Sequence, residues 1–238
     1  MKIFRAILIS IACAWLQCVS SMRNVGEDSE LYKSCPAGQI AVQNAKRTPE
    51  SNACSKPAGI SIGGEEDYTY CCDRHDVCYE TCNIDKDYCE AEFSKCLQML
   101  CRTLFSANKG CSQAASMYVM GTQMFGGNGF AVSQQEYCEC IDAGTEKVRA
   151  HYGKMVHSFY ASHAPDKADE WKDYEAEGSK VSKYVAGYQG KAGGKREQLV
   201  KLGKLHYQLY AKYDTAIKHV GPRRGMTPPR PKAKKDEL

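Results

Sequence analysis

The stretch Tyr70–Cys82, "YCCDRHDVCYETC", places four cysteines in thirteen residues around the pair His75-Asp76. Cys71, His75, Cys78 and Cys82 recur every three or four positions, the period of one helix face, which predicts a helix over about Asp67–Cys82. Three chemistries compete for such a helix. A redox centre needs Cys-x-x-Cys, where one thiolate attacks and its neighbour resolves the mixed disulfide. The chain holds Cys71-Cys72, Cys-x3-Cys and Cys-x-Cys but no Cys-x-x-Cys. A zinc cage usually shows two matching Cys-x2-4-Cys knuckles, and the spacings present, Cys78-x3-Cys82 and Cys96-x4-Cys101, do not match each other. What remains is a disulfide-stapled helix that presents an imidazole and a carboxylate.

The ends of the chain supply the context. Met1–Ser20 reads as a secretory signal peptide: Lys2 and Arg5 lead, Ala6–Leu16 is apolar, and small residues follow. The apolar run is too short to span a bilayer. The ending Lys235-Asp236-Glu237-Leu238 is the retrieval address of the endoplasmic reticulum, which implies a lumenal protein bound by the retrieval receptor. Of the 14 cysteines, Cys13 and Cys18 leave with the signal peptide, and the other twelve lie between Cys35 and Cys140. An even number in an oxidising compartment predicts up to six disulfides, with connectivity left open.

Charge divides the chain where cysteine use stops. Residues 1–144 hold 12 Lys and Arg against 17 Asp and Glu, a net of −5, and residues 145–238 hold the remaining 20 against 11, a net of +9. This predicts a stapled domain over 21–145, a helical basic extension over 146–220 and a disordered basic tail over 221–238. Nothing points to a nucleic-acid partner.

A second helix is expected from Asp87, with Glu90 as capping-box partner, to about Ser106. Its apolar stripe is Phe93, Cys96, Leu97, Leu100, Cys101 and Leu104. Ser112–Phe125 has no clear pattern, and a third helix is expected from Ser133, carrying Cys138 and Cys140. No strand pattern of any length is visible, so the fold class is all-α. In the extension, Leu199, Leu202, Leu205, Leu209, Tyr213 and Ile217 form an amphipathic stripe that either packs on the rest of the chain or turns its basic flank to anionic lipid.

"CCDRHDVCYETC" resembles the active-site helix of secreted-type phospholipases A2, with its Cys-Cys-x-x-His-Asp-x-Cys signature. The continuation "CYETCNIDKDYCEAEFSKCLQMLC" is closest to the group XII branch, and "YKSC…ESNACSKP" resembles its upstream calcium-loop region. The resemblance covers about residues 32–140 and implies a disulfide-rich phospholipase A2-like domain with an added C-terminal extension. Consecutive helical residues point about 100° apart, so His75 and Asp76 take separate tasks. His75 can act as general base on a water, and Asp76 can bind a hard cation such as calcium. The implied reaction is hydrolysis of the sn-2 ester of a glycerophospholipid at a phospholipid membrane surface. By resemblance the carbonyls of Ala53, Ser55 and Pro57 complete the calcium loop, although Ser55 stands where the family prefers glycine. The stretch "SIGGEED" is a second candidate for closing over the ion. Conventional enzymes place an Asp directly after Cys-x-Cys to orient the histidine. Here Ile141 is there and Asp142 follows, which makes Asp142 the candidate, with Tyr79 supporting through its hydroxyl. These departures motivate the alternative, a binding module on the same scaffold with little or no catalysis.

Overall fold

Two helices joined by two disulfides frame the first half of the chain. The computed structural model describes residues 32–54, 68–172, 178–179 and 195–220. The expected signal segment 1–20, the tail 221–238, Ser55 and Pro57 lie outside the described residues.

In chain order the elements are β1 (Gln39–Gln43), β2 (Glu50–Ser51), α1 (Thr69–Tyr79), α2 (Lys86–Thr103), α3 (Cys111–Phe125), α4 (Gly127–Tyr137), β3 (Cys138–Asp142), α5 (Thr145–His163), α6 (Pro165–Ala168), a 3-10 turn (Asp169–Trp171), α7 (Lys195–Lys212), a second 3-10 turn (Asp214–Ala216) and β4 (Lys218–His219). The fold is mostly helical, as expected, and the differences are local. The first helix ends earlier than predicted, at Tyr79, where Gln43 and Gln134 take up the carbonyls of residues 79–81. The chain then turns through Asn83, which sits at φ +63°, a left-handed conformation that asparagine tolerates. Ser112–Phe125, unassigned from sequence, lies within α3. The third helix runs over Gly127–Tyr137, ahead of the expected start, and Cys138 and Cys140 stand on a strand instead. Two short sheets exist where none was expected. β1 pairs antiparallel with β3, Gln39 opposite Asp142 and Gln43 opposite Cys138, and β2 pairs parallel with β4. Positions two apart share a strand face, so Cys-x-Cys suits β3 better than a helix.

All twelve cysteines from Cys35 to Cys140 are paired. Cys71–Cys96 and Cys78–Cys89 lock α1 to α2, Cys54–Cys72 ties the segment after β2 to α1, and Cys82–Cys138 and Cys35–Cys140 anchor β3. Cys101–Cys111 closes the turn between α2 and α3.

The end of α1 is held by two fully buried glutamines. Gln43 Nε2 donates to the Glu80 carbonyl at 3.2 Å, and its Oε1 accepts from Cys82 N–H at 2.8 Å. Gln134 Nε2 donates to the carbonyls of Tyr79 and Thr81, at 3.0 and 2.8 Å. These are groups that a helix end leaves without intrahelical partners, and leaving them bare in the core would cost about 1–3 kcal/mol each.

The boundary near residue 145 marks a change in cysteine use and charge but no break in packing. One buried cluster joins Val42, Val77, Cys78 and Ile84 to Val148, Tyr152 and Val156 of α5 and to Leu202, Leu205 and Leu209 of α7. The leucine stripe of α7 therefore faces the core, the first of its two expected roles. Gly203 makes this possible: a Cβ there would lie 2.6 Å from the Cys82 carbonyl oxygen. Beside it, His206 is buried with Nδ1 3.2 Å from Thr81 Oγ1. Thr81 already gives its proton to the Val77 carbonyl, so His206 donates from Nδ1. Burial holds this imidazole down to about 3, hence neutral. Among the described residues no helix is long and apolar enough to cross a membrane.

Candidate active site

α1 delivers His75 to a pocket walled by α2. The residue is 7% exposed, and its ring lies between Tyr79 (4.3 Å between centroids) and Phe93 of α2 (4.5 Å). Nε2 is buried and stands 3.5 Å from Oε2 of Glu90, an ion-pair distance longer than an ordinary N–H···O hydrogen bond. With Nε2 turned to a carboxylate, Nδ1 is the nitrogen left to handle a proton.

Glu90 is the hub of the pocket. It is 3% exposed, and four groups converge on it. Tyr79 donates to Oε1 at 2.5 Å and Lys86 Nζ to the same oxygen at 2.9 Å, while Thr122 of α3 donates to Oε2 beside His75. Burial by itself raises this carboxyl, but the nearby imidazole of His75 and the hydrogen bonds from Thr122 and Tyr79 outweigh it and hold it down to about 2. Glu90 is therefore ionised throughout the neutral range. Gly126, between α3 and α4, keeps the arrangement tight, because any Cβ there would run into the Tyr79 hydroxyl and the Thr122 carbonyl.

Asp76 points to another neighbourhood. Its Oδ2 accepts from Ser51 Oγ at 2.9 Å and from the Asn52 N–H at 3.3 Å. Ser51 Oγ also lies 2.6 Å from Asp73 Oδ1 and accepts from the Ala53 N–H at 3.1 Å. One hydroxyl proton thus serves two carboxylates. Although Asp76 is partly exposed as a residue, burial of its carboxyl pushes it up to about 7, with Asp73 adding to the rise. Ala53 sits at φ +64°, in the left-handed region, beside these acids.

The family model described as "Group XII secretory phospholipase A2 precursor" matches residues 16–148, more than half of the 238. The chain belongs to the group XII secretory phospholipase A2 family. It is 31% identical over 124 residues to the mouse group XIIA secretory phospholipase A2, covering 48% of this chain and 65% of that one. The human group XIIA secretory phospholipase A2 is 29% identical over 124 residues, 48% of this chain and 66% of its own. The mouse group XIIB secretory phospholipase A2-like protein is 33% identical over 115 residues, 43% of this chain and 59% of its own. The match thus spans just under two thirds of the group XIIA relatives. No solved structure matches the chain.

Within this group XII chain, the structure brings His75 and Tyr79 together and corrects the third member of the expected set. Asp142 is exposed at the end of β3, on the rim of a cavity lined by Ile141, Lys147 and His151. The strand that replaces the expected helix carries it there, and the carboxylate beside His75 is Glu90. A signal for Glu90 was present: it lies three residues before Phe93 and seven before Leu97, an acid on the apolar stripe of its helix. Glu90 does not take up the capping-box role expected for it. α2 has Asp85 at its N-cap and no side-chain cap, and Glu90 turns inward.

The acids around Ser51 suit a hard cation. They offer oxygen donors, burial disfavours the charge of Asp76, and a divalent ion would restore it. Among the described residues no cluster of three His, Cys, Asp or Glu side chains forms a ready metal cage, so backbone carbonyls would supply the remaining donors.

Proposed function

We propose that this chain is a calcium-dependent phospholipase A2 that hydrolyses the sn-2 acyl ester of glycerophospholipids in the lumen of the endoplasmic reticulum. The observation that carries the reading is a histidine whose inner nitrogen faces a buried, ionised carboxylate. Family membership supports the reaction class, and the paired cysteines and the Lys235–Leu238 ending support the compartment.

His75 Nδ1 takes a proton from water as the water oxygen attacks the ester carbonyl carbon. The proton then passes to the departing sn-2 oxygen as its bond to the acyl carbon breaks, which leaves a fatty acid and a lysophospholipid. Glu90 keeps Nε2–H pointed inward, which fixes the tautomer, and its charge stabilises the imidazolium formed in the first step. Tyr79 and Phe93 hold the ring between them and keep bulk water from it. Asp76, with the Ala53 carbonyl, would hold calcium, which when bound polarises the ester carbonyl and stabilises the oxyanion.

The test is hydrolysis of mixed-acyl phosphatidylcholine vesicles by the wild type and His75→Gln, with calcium or a chelator. Calcium-dependent sn-2 release that disappears in the variant is expected. Equal, calcium-indifferent background in both would leave a binding module on the same disulfide scaffold.

A further inference from the structure

β4 lies well beyond residue 148, where the family match ends, yet it packs on the segment that carries the candidate cation site. Lys218 N–H donates to the Pro49 carbonyl at 2.9 Å and Val220 N–H to the Ser51 carbonyl at 2.8 Å. Among the described residues β2 has no strand beside it other than β4. Lys218 Nζ also reaches Glu50. His219 stands opposite Ser51 in the register and places Nδ1 3.6 Å from Asp73 Oδ2. Ser51 Oγ lies 2.6 Å from the other oxygen, Oδ1, so Asp73 is gripped from β2 and from β4 at once.

Resting on the reading of Asp76 as a calcium ligand, we propose that β4 is a positioning strap for that site, with His219 as its working side chain: seating of β4 and binding of calcium at Asp76 each favour the other. Three observations carry the coupling. Ser51 is shared, its carbonyl held by β4 and its hydroxyl set between Asp73 and Asp76. A hydroxyl has one proton to give. An ion that takes over Asp76 releases that proton to Asp73, the acid that His219 also steadies. The segment 51–54 is, moreover, tied at its far end by Cys54–Cys72 and at its near end by β4, with Ala53 in the left-handed region between them. Without β4 the tether is one-sided, and an arriving ion must order the turn as it binds, which lowers affinity. Finally, β4 is anchored: Ala216 and Ile217, just before it, are buried in the cluster that holds Leu202, Leu205 and Leu209. The packed extension therefore reaches Ser51 through a short, fixed lead. By linkage, whatever β4 adds to calcium affinity, calcium returns to the seating of β4.

The experiment is calorimetric titration of the full chain with calcium, without lipid. His219→Ala, which removes the imidazole, and Val220→Pro, which removes the N–H given to Ser51, should each weaken calcium binding about tenfold. His219→Asn, whose amide nitrogen stands where Nδ1 stood, should restore most of it. Hydrogen exchange supplies a readout that needs no β4 variant. The amides of Lys218 and Val220 should exchange more slowly when calcium is added to the wild type, and at an unchanged rate when it is added to Asp76→Asn. In hydrolysis, the calcium that gives half the maximal rate should rise about tenfold in His219→Ala, with the rate at saturating calcium retained. Equal calcium affinity in the wild type, His219→Ala and Val220→Pro would overturn the coupling and leave Asp76 as a ligand. Tighter binding in the variants would overturn it too, since β4 would then compete with the ion, as would exchange at Lys218 and Val220 that calcium does not slow. A wild type that takes up no calcium would remove the reading of Asp76, and the coupling with it.

Discussion

Replacing Glu90 by Gln keeps the shape of the side chain and removes its charge from the middle of the pocket. Four donors face that carboxylate, and a Gln amide must turn its own NH2 toward at least one of them. Moving the carboxyl from its ordinary 4.5 down to about 2 corresponds to about 3 kcal/mol in favour of the ionised form in the fold. Because the folded value lies below the unfolded one, this stability is complete above about 4.5 and is lost as the pH falls toward 2. Glu90→Gln should therefore unfold at lower urea at pH 7, by about 3 kcal/mol, and show a flatter acid limb than the wild type. The catalytic effect is worked from the 3.5 Å between Nε2 and the carboxylate. At an effective dielectric of about 20, losing one unit charge at that distance removes close to 5 kcal/mol from the imidazolium, or roughly 10³- to 10⁴-fold in rate. The assay is sn-2 release from mixed-acyl phosphatidylcholine vesicles under conditions where the variant is folded by circular dichroism. The loss should fall on kcat, with vesicle binding unchanged. A Glu90→Gln rate within about threefold of wild type, or an equal loss in Asp142→Asn, would refute the assignment of Glu90 as the residue that positions His75.

Three further outcomes follow from named contacts. Calcium should raise the melting temperature of the wild type and leave Asp76→Asn unmoved. Without calcium, the carboxyl raised to about 7 makes the wild-type fold lose stability as pH rises from about 4 through 7, a trend that added calcium should suppress. Gly126→Ala should push the Tyr79 hydroxyl off Glu90, at a cost of about 1.5–3 kcal/mol for a hydrogen bond to a charged group, with a matching fall in activity that Tyr79→Phe reproduces. Gly203→Ala sets two effects against each other in α7. Helix propensity gains about 1 kcal/mol. Overpacking against the Cys82 carbonyl, which is backbone and has little room to shift, costs about 1–3 kcal/mol, so thermal unfolding should come earlier. A rise in melting temperature would mean that α7 is not seated against the Cys82 turn.

His75 and the helix that carries it were legible because the period of the cysteines and the histidine is a property of adjacent residues. The lengths of that helix, of α2 and of α4 were not, since each end is decided by a distant partner: Gln43 and Gln134 for α1, and the pairing of β3 with β1 for α4. The leucine stripe of α7 was plain in the sequence, but its destination was open until Gly203 and Leu205 were placed against the turn after α1.

The sequence by itself determined a mostly helical, fully cross-linked scaffold and the residues that could act as base and as cation ligand, because these depend on residue type and local spacing. Only the tertiary structure decided which carboxylate stands beside His75 and that α5 and α7 of the basic extension join the core. Both are meetings of groups on different elements, drawn together by burial: a hydrogen-bonded Glu90 in the wall of one helix, and a leucine face packed on Val42, Val77 and Ile84.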